Sequence, residues 1–141
     1  GLREIEKAAV VHGGGMTHRM RLDDAILIKD NHLKLCRDIN SAIENSRRSN
    51  PDLMIEVEAD NFEQALEATK SGADRVMLDN FTPALTQETV SSLRKISNIE
   101  IESSGGITLE NVDLYAPFVD FISLGSLTMA APSVDFSLHV N

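Results

Sequence analysis

Short apolar runs recur along the chain at Ala25–Ile28, Leu53–Val57, Arg75–Leu78, Ile99–Ile101 and Phe121–Leu124. Each has the length of a buried strand. Val76-Met77-Leu78 is apolar without alternation, which suits a sheet covered on both faces. The stretches between the runs read as helices with recognisable ends, and the chain itself opens inside a helical stretch. Asp38 precedes Ile39–Arg47, where Ile39, Ala42 and Ile43 recur at helical spacing. Asn61 with Gln64 resembles a capping box opening Phe62–Ser71, and Gly72 follows as a stop. Thr82 then Pro83 predicts a helix running to about Ile96. Thr108 predicts a cap for Leu109–Ala116, which Pro117 ends. Strands separated by helices predict an α/β fold with a parallel sheet and right-handed crossovers. A closed eight-stranded barrel takes about 250 residues, so five units predict an open or partial TIM-like (β/α) barrel. A flavodoxin-like doubly wound sheet has the same alternation, and strand count does not separate the two.

Composition narrows this picture without redirecting it. The 141 residues contain no low-complexity tract or Pro/Gly/Ser-rich linker, so one domain over 1–141 is expected. Hydrophobic content of 42% and charged content of 25% are ordinary for a globular domain. A net charge of −9 argues against nucleic acid as a partner, yet a locally basic pocket would still take an anionic substrate. No apolar run is long enough for a membrane helix, and the charged start is not a signal peptide. The lone Cys36 excludes a disulfide framework within one chain and points to a reducing, cytoplasmic setting. Starting on Gly1 inside a helix, the sequence reads as a fragment truncated at its N-terminus.

Candidate chemistry gathers where the apolar runs end. Lys29-Asp30-Asn31-His32 follow Ile28; Glu56 and Glu58 lie within and after Ile55–Val57; Asp79-Asn80 follow Leu78. Glu102-Ser103-Ser104-Gly105-Gly106 follow Ile101, and Gly125-Ser126 follow Leu124. In both candidate architectures the C-terminal edge of the sheet binds ligands. Loops are polar anyway, which accounts for Asn and Ser; it accounts poorly for Lys29, Glu58 and Asp79 abutting apolar strands. Ser104-Gly105-Gly106 is expected before a helix N-terminus and is paired with Gly125-Ser126 in the next loop. Close backbone approach and free N–H groups would suit a phosphate there, although an isolated Ser-Gly-Gly is also an ordinary turn. Gly13-Gly14-Gly15 lies before His18-Arg19, a pair able to grip a carboxylate or simply to lie exposed in a loop. No zinc-ligand spacing and no nucleophile motif occur; magnesium needs only one or two carboxylates plus substrate phosphates, and Glu58 and Asp79 would supply them.

Six segments in order resemble the quinolinate phosphoribosyltransferases. They are Gly13–Arg19, Leu27–His32, Glu56–Ala59, Met77–Asn80, Glu102–Ile107 and Gly125–Thr128, within a match running from about residue 1 to 138. The resemblance implies the C-terminal catalytic barrel of an enzyme of NAD biosynthesis. Such an enzyme transfers phosphoribose from phosphoribosyl pyrophosphate to quinolinate, giving nicotinate mononucleotide, pyrophosphate and carbon dioxide. It implies that His18, Arg19 and Lys29 line the quinolinate site, and that Glu58 and Asp79 sit by the ribose and Mg2+–pyrophosphate. It further implies that Ser104, Gly105, Gly106, Gly125 and Ser126 hold the 5′-phosphate, and that the assembly is a homodimer or a hexamer.

Two departures qualify the likeness. A Thr-Arg-Lys-Thr segment on the family's first barrel strand and an N-terminal domain are both absent, so poor turnover is expected of the chain alone. Thr17 also stands where relatives usually carry Asn. A sister protein of the molybdenum-transport type, or a non-catalytic assembly module pairing through an open sheet edge, would present a similar sequence.

Overall fold

The computed structural model describes residues 2–19 and 23–140. Helix α1 (Arg3–His12) leads through the glycine run to strand β1 (Ile26–Ile28), a short α2 (Asp30–Leu33) and α3 (Ile39–Ser49). Then come β2 (Ile55–Ala59), α4 (Phe62–Lys70), β3 (Arg75–Asp79), α5 (Pro83–Leu93) and β4 (Glu100–Ser104). A single 3-10 turn (Val112–Leu114), β5 (Phe121–Ile122) and a four-residue α6 (Ser126–Met129) follow. The strands lie in chain order, β1-β2-β3-β4-β5, and every pairing is parallel. A doubly wound sheet reverses its strand order at a switch point. This sheet has no reversal, so it is an open, barrel-type arc and the flavodoxin-like alternative falls away.

Helix ends follow their local chemistry. Asp38 accepts from Ser41 N at 2.7 Å, and Asn61 accepts from Gln64 N at 2.9 Å. The return arm of the second cap shifts by one residue, because Gln64 Oε1 accepts from Asp60 N rather than from the Asn61 amide. Gly72, at φ +82°, ends α4, with Ala73 N donating to Ala68 O and Gly72 N to Thr69 O. Thr82 caps α5, which stops at Leu93 and unwinds through a last turn at Ile96 and Ser97 instead of continuing as regular helix.

One predicted helix is absent: Leu109–Ala116 contains turns and the three-residue 3-10 segment. Asn111 explains the difference. Its Oδ1 accepts from Thr108 N and its Nδ2 donates to Gly106 O, closing a local loop that competes with helical bonding.

Residues Ile55, Val57, Ala59, Val76, Leu78 and Ile101 point outward into a core completed by α3, α4 and α5. Two elements recur beneath the sheet, at the strands' N-terminal edge. Asp74 accepts from Arg47 and from Ile55 N, both at 2.7 Å, while Arg47 also donates to Leu53 O. Asp120 accepts from Arg94 at 2.5 Å and from Ile101 N at 2.8 Å, while Arg94 donates to Ile99 O. Each aspartate therefore ties the start of one strand to the helix before it. Replacing Asp120 with Ala orphans the Ile101 N–H and frees Arg94, and is expected to cost about 2 kcal/mol. A urea midpoint unchanged from the parent would contradict this role.

Candidate active site

Alternation along the paired strands gives the inner face to the other residues. Glu56 pairs with Arg75, Glu58 with Met77, Arg75 with Glu100, Met77 with Glu102, and Asp79 with Ser104. Strand alternation therefore places Glu56, Glu58, Arg75, Asp79, Glu100, Glu102 and Ser104 on one surface, opposite the apolar core. Lys29, two residues beyond Leu27, donates from Nζ to Glu58 Oε2 at 2.5 Å. Asp79 accepts from Asn80 Nδ2 at 2.6 Å, and Asn80 N donates to Ser104 O at 2.9 Å. Asn80 has φ +57°, the one left-handed non-glycine residue among those described. Gly105 (φ +85°) lies directly against it, and a Cβ at Gly105 would come within 2.7 Å of the Asn80 nitrogen. Only glycine fits this close approach.

The chain turns back through Gly105 and Gly106, both left-handed, and their N–H groups take no backbone partner among the described residues. No α-helix lies between them and β5, so the helix N-terminus expected beyond Ser104-Gly105-Gly106 is replaced by this glycine turn. Gly125 caps and Ser126 begins the short α6 after β5, at the same edge of the sheet.

Deeper in, His18 donates from Nε2 to Glu56 Oε2 at 2.9 Å. The segment carrying it is fixed by α1, whose Lys7 donates to His18 O at 2.7 Å and to Arg19 O at 3.0 Å. Arg19 itself donates to Ala25 O at 3.3 Å, so its guanidinium is turned to the backbone rather than to the His18 network. Glu102 accepts from Ser123 Oγ and, at 3.3 Å, from Arg75, whose guanidinium lies 3.9 Å over the Phe121 ring and also holds Glu100. His18, Glu56 and Glu102 bring one ligand-capable atom each within 4.8 Å of the others. The Glu56 hydrogen bond, with the Glu56 and Glu102 charges adding to it, raises the His18 pKa above its usual 6.5, against the opposing effects of burial and Arg19. Burial raises Glu102 above 4.5, with the Glu56 charge adding to it and the Ser123 hydrogen bond opposing.

Comparison with known proteins decides what this edge belongs to. The domain family described as quinolinate phosphoribosyl transferase, C-terminal domain, matches residues 1–139. The chain belongs to that family. A nicotinate-nucleotide pyrophosphorylase [carboxylating] of Dictyostelium discoideum is 43% identical over 99% of this chain and 48% of its own length. The protein of the same name from Homo sapiens is 38% identical over the same shares. The NadC structure from Streptococcus pyogenes superposes with a TM-score of 0.90 at 37% identity, covering 97% of this chain and 48% of the other. The Francisella tularensis nicotinate-nucleotide pyrophosphorylase superposes at 0.85 and 37% identity, over 90% and 45%. This quinolinate phosphoribosyltransferase domain thus spans about half the length of the curated relatives it matches. No helix among the described residues is long and apolar enough to cross a membrane.

The inner face of the sheet carries residues that strand-end reading missed: Arg75 and Ser123 entirely, and Glu56 and Glu102 as members of the His18 network. Glu56 and Glu102 are buried to 1% and 2% exposure. Their signal was a charged residue at every second position inside an otherwise apolar run, the mark of a sheet whose second face is polar.

Two outcomes follow from this geometry. Gly105→Ala would strain a left-handed backbone and push on Asn80, and is expected to destabilise the domain by about 1–3 kcal/mol; an unchanged denaturation midpoint would show that the close approach is slack. Because Glu102 and His18 have raised pKa values, the folded state binds more protons than the unfolded chain. Their stabilising contribution is full below the unfolded values, 4.5 and 6.5, and is lost as pH rises through the higher folded ones. Glu102→Gln is therefore expected to flatten the decline in melting temperature as pH rises above 4.5. Parallel curves for parent and variant would refute that.

Proposed function

We propose that this domain supplies the phosphoribosyl-transfer site of a quinolinate phosphoribosyltransferase acting in NAD biosynthesis. The observation that carries the reading is the Lys29–Glu58 pair on the same sheet face as Asp79, with the Ser104-Gly105-Gly106 turn beyond it at the C-terminal edge. Family membership and the names of its relatives support the substrates, quinolinate and phosphoribosyl pyrophosphate. Assembly as a homodimer or hexamer and a cytoplasmic setting belong to the same proposal.

In the transfer, the pyridine nitrogen of quinolinate forms a bond to ribose C1 as the bond from C1 to the pyrophosphate oxygen breaks. Positive charge builds on the ribose ring, and the Glu58 carboxylate offsets it without reorganising, since Lys29 already holds its orientation. Lys29 and His18 provide cationic donors for the two substrate carboxylates, and Arg19 joins them on releasing Ala25 O. The carboxylate beside the new nitrogen–carbon bond then leaves as carbon dioxide. Its electron pair passes to the ring carbon, which takes up a proton. The glycine turns at Gly105-Gly106 and Gly125-Ser126 would receive the 5′-phosphate through backbone N–H groups. Bound magnesium would neutralise charge on the departing pyrophosphate. Asp79 fits as its carboxylate ligand, whereas Lys29 occupies Glu58 Oε2 and leaves Glu58 an indirect part through water or pyrophosphate.

The test is Glu58→Ala and Asp79→Ala in the complete protein carrying this domain, assayed with quinolinate and with other pyridine or purine bases. Each variant is expected to lose roughly 100-fold or more in kcat with quinolinate. Undiminished turnover would refute the site. Preference for a different base would favour the sister protein of the molybdenum-transport type, and no turnover by the parent would favour an assembly role.

A further inference from the structure

Glu56 is a costly residue to place where it is. It is 1% exposed, and its Oε1 has no hydrogen-bond partner among the described residues. A buried carboxylate with one oxygen unsatisfied destabilises a fold, and an apolar residue of similar size would pack there more favourably. Its other oxygen, Oε2, is committed to His18 Nε2 at 2.9 Å. A carboxylate only accepts, so this contact fixes both the ring orientation and a proton on Nε2.

We propose that Glu56 is the positioning residue for His18, and that Glu102, held by Arg75 and Ser123, closes the same network, so that His18 meets the dicarboxylate substrate as an oriented cation. The inference rests on the proposed quinolinate site and adds residues not placed in contact with substrate. Charge balance supports it. Arg75 from β3 is matched by Glu100 of β4, and His18 is matched by Glu56 of β2. Glu102 is the surplus acid, and burial biases it towards its neutral form. The other charges around His18 are cationic: Arg19 beside it disfavours the imidazolium, and Lys7 of α1 binds its carbonyl oxygen. The acids prevail because Glu56 is in direct hydrogen-bond contact. His18 also lines a cavity of about 340 Å³ with Arg75, Glu102, Phe121 and Ser123, so the ring is accessible from the inner face. One orienting group fixed by a buried acid is the general way in which a histidine's tautomer and charge are set.

The experiment follows the His18 ring by NMR across pH in this chain, without ligand, in the parent, Glu56→Gln and Glu102→Gln. The parent midpoint is expected above the ordinary 6.5. Glu56→Gln keeps the shape but not the charge, and the midpoint is expected to fall by roughly one unit, a tenfold loss of imidazolium at a given pH above it. Glu102→Gln removes only the smaller contribution of the Glu102 charge, and the His18 midpoint is expected to fall less than in Glu56→Gln. A parent midpoint at or below 6.5, or one insensitive to Glu56→Gln, overturns the proposal. A second arm titrates quinolinate itself into the complete protein at neutral pH. Glu56→Gln is expected to weaken its binding roughly tenfold, with kcat much less affected. If quinolinate does not bind the parent, the functional reading fails while the ring titration still judges the Glu56–His18 coupling.

Discussion

In a parallel sheet every second side chain crosses to the other face, so pairing Glu56 with Arg75 and Glu58 with Met77 fixes what the whole inner surface carries. Ile55, Val57 and Ala59 then lie wholly buried on the helix side, and a slip of one residue would drive two glutamates into that apolar layer. The penalty for burying unpaired carboxylates among aliphatic side chains makes this register the only tolerable one. Asp74 and Asp120 reinforce it from below by binding amides at the start of β2 and β4. The same constraint that stabilises the core therefore presents the polar face.

That face is organised in two depths. At the C-terminal edge, Lys29, Glu58, Asp79 and the Gly105 turn form an open group with both signs of charge. Deeper, His18, Arg75 and Ser123 interlock with the buried Glu56 and Glu102. The outer group is open to a ligand, and the inner one fixes the orientation of its members. Asn80 links strand to loop, because its left-handed backbone places one side against Gly105 while its amide restrains Asp79.

Sequence alone reaches much of this and stops for physical reasons. The parallel α/β arrangement was legible because each strand's apolar run and each cap at Asp38, Asn61 and Thr82 are local signals. Choosing the barrel arc over a doubly wound sheet needed strand order, a long-range property that no local pattern encodes. The helix expected after Thr108 failed because Asn111 offers the backbone a competing set of bonds. Lys29, Glu58 and Asp79 stood out as charges at strand ends. Arg75 did not, because at a strand's start it looks like a solvent charge until its partners Glu100 and Glu102 are seen across β4.

The central claim is that one face of this sheet clasps a phosphorylated sugar. A crystal structure of the complete protein with phosphoribosyl pyrophosphate and magnesium tests it most directly. The account places the 5′-phosphate on the Gly105–Gly106 and Gly125–Ser126 amides, with the ribose between Glu58 and Asp79. A sugar phosphate bound on the helix side of the sheet, or one leaving the Lys29–Glu58 pair and the glycine turns untouched, would contradict it.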